Sequence, residues 1–208
     1  MDFGNFNFGT KSNGSSNSSS NGVLNLQKNQ SLDLTKEAPS LKRCILGAGW
    51  DVSEGNETYD LDIAAFLLGE NGRVNDVRTD VVYFRQMVQR GIRLEGDNRT
   101  GAGEGDDERI DVNLNDIDAN VKEIVFFIVI YEADKKRQTF GMVRNSFVRL
   151  LDADDREREV LRYELKDNYS SDTAITVASL KRANNGWTFT AIGEGSIGDL
   201  NTLLSRYQ

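Results

Sequence analysis

From Ser31 onward, alternation with a period of two dominates the chain. Ile110, Val112 and Leu114 are separated by Asp111, Asn113 and Asn115, the pattern of a strand with one wet face. Leu161, Tyr163 and Leu165 alternate in the same way with Arg162 and Glu164, and Trp187, Phe189 and Ala191 with Thr188 and Thr190. Residues 124–131 are apolar on both faces, which predicts a central strand; the run falls far short of the roughly 20 residues of a membrane-spanning helix. Further strands are expected at 42–46, 61–68, 80–84, 146–151 and 173–180, with a weak one at 32–35. Glu70-Asn71-Gly72 and Asn184-Asn185-Gly186 are turn clusters, rich in residues that tolerate positive φ. Helical spacing is confined to residues 84–90 and a last turn at 200–204. About nine or ten short strands with so little helix predict an all-β fold: a β-sandwich of two mainly antiparallel sheets with few short helices.

Composition separates the first 30 residues from the rest. Residues 12–22 contain only Ser, Asn and Gly, which bury too little apolar surface to offset the entropy of ordering them. Residues 1–30, including Phe3, Phe6 and Phe8, are therefore read as a disordered tail, and 31–208 as the folded domain. The start of the chain lacks the basic and apolar blocks of a signal peptide. The tail's charges are Asp2, Lys11 and Lys28, so against a net charge of −8 for the whole chain the domain alone, with 23 basic and 32 acidic residues, carries −9. An acidic surface repels phosphate backbones and anionic membranes, so no nucleic acid and no direct membrane insertion are expected, and multivalent cations are the better partners. With no histidine in the chain, imidazole catalysis and His-ligated metals are excluded. Cys44 is the only cysteine, so there is no intrachain disulfide or thiolate cluster; a reducing cytoplasm is the simplest location, and an apolar strand context makes Cys44 a core residue.

The chemistry concentrates in two acidic elements. Residues 96–108 read GDNRTGAGEGDDE, in which glycines let the backbone turn sharply and bring carbonyl oxygens and carboxylates around one point. Calcium takes six to eight such oxygens and tolerates irregular geometry. The loop is not an EF-hand: counted from Asp97, the third position is Arg99 and the sixth is Ala102. Nor is it a phosphate cradle, since no Walker-type lysine follows. Two readings remain, a hard-cation site or a solvated acidic face. In the second element, Asp60 and Asp62 head a buried strand with both carboxylates on one face, roughly 6.5–7 Å apart at the backbone. Burying two acids is costly unless they are paired or metal-bound, which favours the cation. Asp51, following Gly49 and Trp50, offers another carboxylate, with Trp50 read as a core or lid residue. A glycosidase carboxylate pair is disfavoured because only Trp50 and Trp187 are available to line a sugar cleft. Residues 152–159 (DADDRERE) are expected to form a solvated hairpin, and Lys135-Lys136-Arg137 a charged turn.

Taken in order, these elements resemble the TerD family of tellurium-resistance and stress proteins. The resemblance rests on LDLTK at 32–36, LGAGWD at 46–51, YDLDIAAFLL at 59–68, GDNRTGAGEGDDERIDVNL at 96–114, FGMVRNSFVRLLD at 140–152 and WTFTAIGEG at 187–195. It implies a non-enzymatic, cytoplasmic β-sandwich that binds calcium, generally two ions, and is associated with tolerance to tellurite, bacteriophages and colicins. The implied ligands are Asp60 and Asp62 from the DLD element and Asp97, Asn98, Glu104, Asp106, Asp107 and Glu108 from the long loop, with Asp51 as a further or orienting ligand. The implied partners are proteins, other tellurium-resistance proteins at the inner face of the membrane among them. Arg85-Gln86 and Ser196 depart from the family pattern, and both bear on partner contacts more than on metal. The alternative is a metal-independent scaffold with a solvated acidic face.

Overall fold

Two long apolar runs meet at the centre of the molecule. In the computed structural model of the chain, residues 22–51, 59–95 and 105–208 are described. The first part of the chain forms strands β1 (Leu24–Leu26) and β2 (Ser31–Asp33), helix α1 (Leu34–Glu37), and strands β3 (Arg43–Asp51) and β4 (Leu61–Leu68). Helix α2 (Val77–Asp80) leads into β5 (Val81–Val82), β6 (Val88–Gln89), β7 (Ile92–Glu95), β8 (Glu108–Asn113) and β9 (Glu123–Ile130). After helix α3 (Ala133–Lys136) come β10 (Arg144–Asp152), β11 (Arg158–Glu164), β12 (Ala174–Ala183), β13 (Gly186–Ser196) and helix α4 (Leu200–Leu204). They build a seven-stranded sheet, β1-β11-β10-β3-β8-β7-β6, and a six-stranded sheet, β2-β13-β12-β9-β4-β5. Among the described residues every pairing is antiparallel except β1 with β11. The expected β-sandwich is therefore observed.

Alternation decides what faces what. Leu61, Ile63, Ala65 and Leu67 of β4 point between the sheets with Ile124, Phe126 and Ile128 of β9, against Leu46 and Ala48 of β3, Ile110 and Val112 of β8, and Val148 and Leu150 of β10. The intervening residues of β4 and β9 are apolar as well, because the C-terminal segment covers them. Phe66, Phe127 and Val129 form a second cluster with Leu203 and Tyr207, and the Tyr207 ring stands edge-on 5.7 Å from both Phe66 and Phe127. Asp199 caps α4: its Oδ1 accepts hydrogen bonds from the backbone N–H and the hydroxyl of Thr202, each 2.9 Å long, and the backbone bond holds the carboxyl below the usual range. Asp199→Ala is expected to cost about 1 kcal/mol by urea denaturation, with Asp199→Asn retaining most of it.

The structure departs from the pattern in three places. Residues 84–90 are not helical: Tyr83 and Gln86 form a β-bridge and Val88–Gln89 pairs with β7. Tertiary bonds override the spacing, since the Gln86 side-chain amide donates to the Val77 carbonyl (3.0 Å) and that of Gln89 to the Arg78 carbonyl (2.8 Å). The weak strand at 32–35 ends at Asp33, whose carboxylate accepts from the Thr35 N–H and starts α1. Ordered structure also begins ahead of residue 31: Leu24–Leu26 pairs with β11, and the Asn29 N–H donates to the Ala191 carbonyl.

Candidate metal centre

Two glycines on β3 make room for the end of the acidic loop. Leu46 and Ala48 face the core, so Gly47 and Gly49 open onto the outer face of the seven-stranded sheet. The Asp106 carboxylate lies over Gly47 so closely that a Cβ there would overlap it, and a Cβ on Gly49 would stand 2.8 Å from the Gly105 carbonyl oxygen and 2.6 Å from the Phe147 ring. The chain then returns to the ladder: the Asp107 N–H donates to the Ala48 carbonyl (2.8 Å), and Asp107 Oδ2 accepts from the Trp50 N–H (2.9 Å). Glu108, almost fully buried, begins β8 opposite Ala48. Asp106, Asp107 and Glu108 are thus gathered at one end of β3 and β8.

Arginine supplies part of the compensating charge. Arg149 of β10 donates from Nε to Asp106 Oδ1 (2.7 Å) and from Nη1 to Glu159 (3.0 Å). Burial draws the Arg149 guanidinium down, and its bonds to the two carboxylates more than reverse this, leaving it raised. The other oxygen of Asp106, Oδ2, is buried and has no hydrogen-bond partner among the described residues. Such an oxygen fits a hard cation, as does the donor set of carboxylates and the Gly105 carbonyl. Asp51 sits exposed at the end of β3, where Asn145 Nδ2 donates to it.

The DLD element lies elsewhere. Leu61 and Ile63 point between the sheets, so Asp60 and Asp62 face outward from the six-stranded sheet, as their spacing predicts. Asp62 is buried and lines a cavity of about 550 Å³ with Tyr83, Phe84, Tyr131 and the start of α4; Asp60 is 3.8 Å from Lys136 Nζ. Packed sheets are about 10 Å apart, so Asp62 and Asp106, on opposite outer faces, do not share one ion. Asp97, Asn98 and Glu104 lie outside the described residues. Among the described residues, no three acidic side chains converge as a ligand set.

Two sequence readings shift with the geometry. Residues 152–159 do form the β10–β11 turn, yet Asp152 is buried and Glu159 anchors Arg149, so that stretch is only partly a solvated hairpin. The alternation of the strand gives Arg149 one signal only, an outward register between core residues Val148 and Leu150, which does not reveal that it meets Asp106 there.

The TerD domain family matches residues 23–207. The chain belongs to the TerD family. It is 37% identical over 187 residues to tellurium resistance protein TerD of Serratia marcescens, covering 88% of this chain and 96% of that protein. It is 39% identical over 189 residues to general stress protein 16U of Bacillus subtilis (strain 168), covering 89% and 97%. The crystal structure of a TerD homologue from Streptomyces coelicolor A3(2) superposes with a TM-score of 0.66 at 26% identity, covering 79% of this chain and 96% of that one. The TerD match also begins before residue 31, in line with the position of β1.

Proposed function

We propose that this TerD-family chain is a non-enzymatic calcium-binding stress-response protein of the cytoplasm, whose metal-ordered acidic loops present a surface to partner proteins. The observation that carries the reading is the buried, unpartnered Oδ2 of Asp106 beside the Gly105–Glu108 oxygens. One ion would be held by Asp106, Asp107 and Glu108 with Asp97, Asn98, Glu104 and Asp51; Asp60 and Asp62, on the other sheet, would hold a second. Bound calcium would supply positive charge that lets the carboxylates approach one another. The partners we propose are other tellurium-resistance proteins at the inner face of the membrane; among the described residues no helix is long and apolar enough to cross it. Burial raises the pKa of the Cys44 thiol, an unsuitable setting for a nucleophile and consistent with a non-enzyme.

The Arg149–Asp106 pair favours a second reading, a metal-independent scaffold in which arginines alone neutralise the acids. Calorimetric titration of metal-stripped protein separates the two. Saturable heat with calcium at a stoichiometry near two is expected; no heat up to millimolar calcium leaves the scaffold.

A further inference from the structure

A groove crosses the outer face of the seven-stranded sheet beside β10 and β11, with Asp51 of β3 in its lining. It consists of two adjoining depressions of about 550 and 310 Å³, both lined by Arg162, Glu164 and Lys166. Arg162 is held flat, its guanidinium carbon 3.8 Å from the Phe147 ring centroid. Its Nη1 is buried and has no hydrogen-bond acceptor among the described residues. Lys166 is matched with Glu164 (2.6 Å) and Lys28 with Asp167, while Arg162 has Glu159 at 3.6 Å from its Nε, beyond hydrogen-bond length. A stacked guanidinium with an unmet donor is suited to a carboxylate.

The same arginine is joined to the loop end by a chain of charges. Asp106 binds Arg149 (2.7 Å), Arg149 binds Glu159 (3.0 Å), and Glu159 lies 3.6 Å from Arg162 Nε. Phe147, beneath Arg162, packs on Gly49 next to the Gly105 carbonyl. We infer that this groove docks a carboxylate-bearing segment of a partner protein on Arg162, and that calcium at the Asp106 end strengthens the docking. The calcium part rests on the function proposed above. Metal drawing on Asp106 would leave Arg149 to Glu159, loosening Glu159 from Arg162; the added positive charge acts in the same direction. By linkage the docked carboxylate raises calcium affinity by the same factor.

The test is an NMR titration of the full chain with acetyl-Gly-Glu-Gly-amide, following the Arg162 Nε–H and Phe147 ring signals in chelator and in calcium. Binding is expected in both, about fivefold or more tighter with calcium, a typical size for coupled sites. The Gln-containing peptide should not bind. Arg162→Gln should abolish the shifts, and Phe147→Leu, which keeps an apolar support, should weaken them. Arg149→Met, which leaves Glu159 to Arg162 with or without metal, should weaken binding and remove its calcium dependence. Equal binding by the Gln peptide, or by Arg162→Gln protein, overturns the carboxylate site. Calcium that binds, as its own titration heat reports, without changing peptide affinity overturns the coupling. Absence of any calcium heat removes the metal reading, and with it the coupling, while the titration in chelator still decides the site.

Discussion

Gly47→Ala is expected to destabilise the domain by about 2–4 kcal/mol, the range for overpacking combined with disruption of a buried charge pair. The added methyl occupies the position of the Asp106 carboxylate, whose side chain is only 2% exposed. Neither group has an easy escape: Gly47 is locked in the ladder opposite Arg149 on one side and Arg109 on the other. The carboxylate must therefore leave Arg149, whose half-buried guanidinium then has only Glu159 to answer it among the described residues. Chemical denaturation measures the loss. A double-mutant cycle identifies the cause: in an Asp106→Ala background the same glycine substitution should cost much less, because the clash has gone. Equal costs in both backgrounds would place the strain in the strand itself.

The core and the site were legible to different degrees. The strand at 61–68 was readable to the residue, because its apolar run from Ile63 follows the Asp60-Leu61-Asp62 alternation and stops at a glycine turn. Its partner at 124–131 was equally plain, yet the reason both faces are apolar is tertiary: Leu203 and Tyr207 arrive from the far end of the chain to cover one of them. Residues 84–90 carried a helical spacing that lost to side-chain bonds from Gln86 and Gln89, which no local pattern reveals. At the site, the acids were visible as composition, whereas their grouping was not. Asp62 and Asp106 read alike along the sequence and face opposite ways in the sandwich, a difference set by strand register. Asp111 shows the same limit: it sits three residues beyond Glu108, but Arg43 of β3 grips it, so it stands apart from the loop end.

Calcium should raise the melting temperature of metal-stripped protein by about 5–10 °C. Two ions that bind only the folded state, each at a tenfold excess over its dissociation constant, add about 1.4 kcal/mol apiece, roughly 2.8 kcal/mol together. For a domain of this size each kcal/mol is worth roughly 2–4 °C. Magnesium at equal concentration should shift it less, since it prefers few protein ligands in a near-ideal octahedron, whereas the oxygens available here come from carboxylates and a carbonyl in an irregular turn. Asp106→Asn with Asp107→Asn separates metal binding from simple stability. The variant starts lower, because Arg149 loses one of its two anions and the Trp50 N–H exchanges a charged acceptor for a neutral one. Its melting point should then respond to calcium only through the Asp60 and Asp62 element, and so by about half as much or less, as expected for one ion of two at similar affinity. A full calcium response in that variant would move the metal away from the loop end. A response lost completely would instead make the two carboxylate elements one cooperative unit, despite their opposite faces.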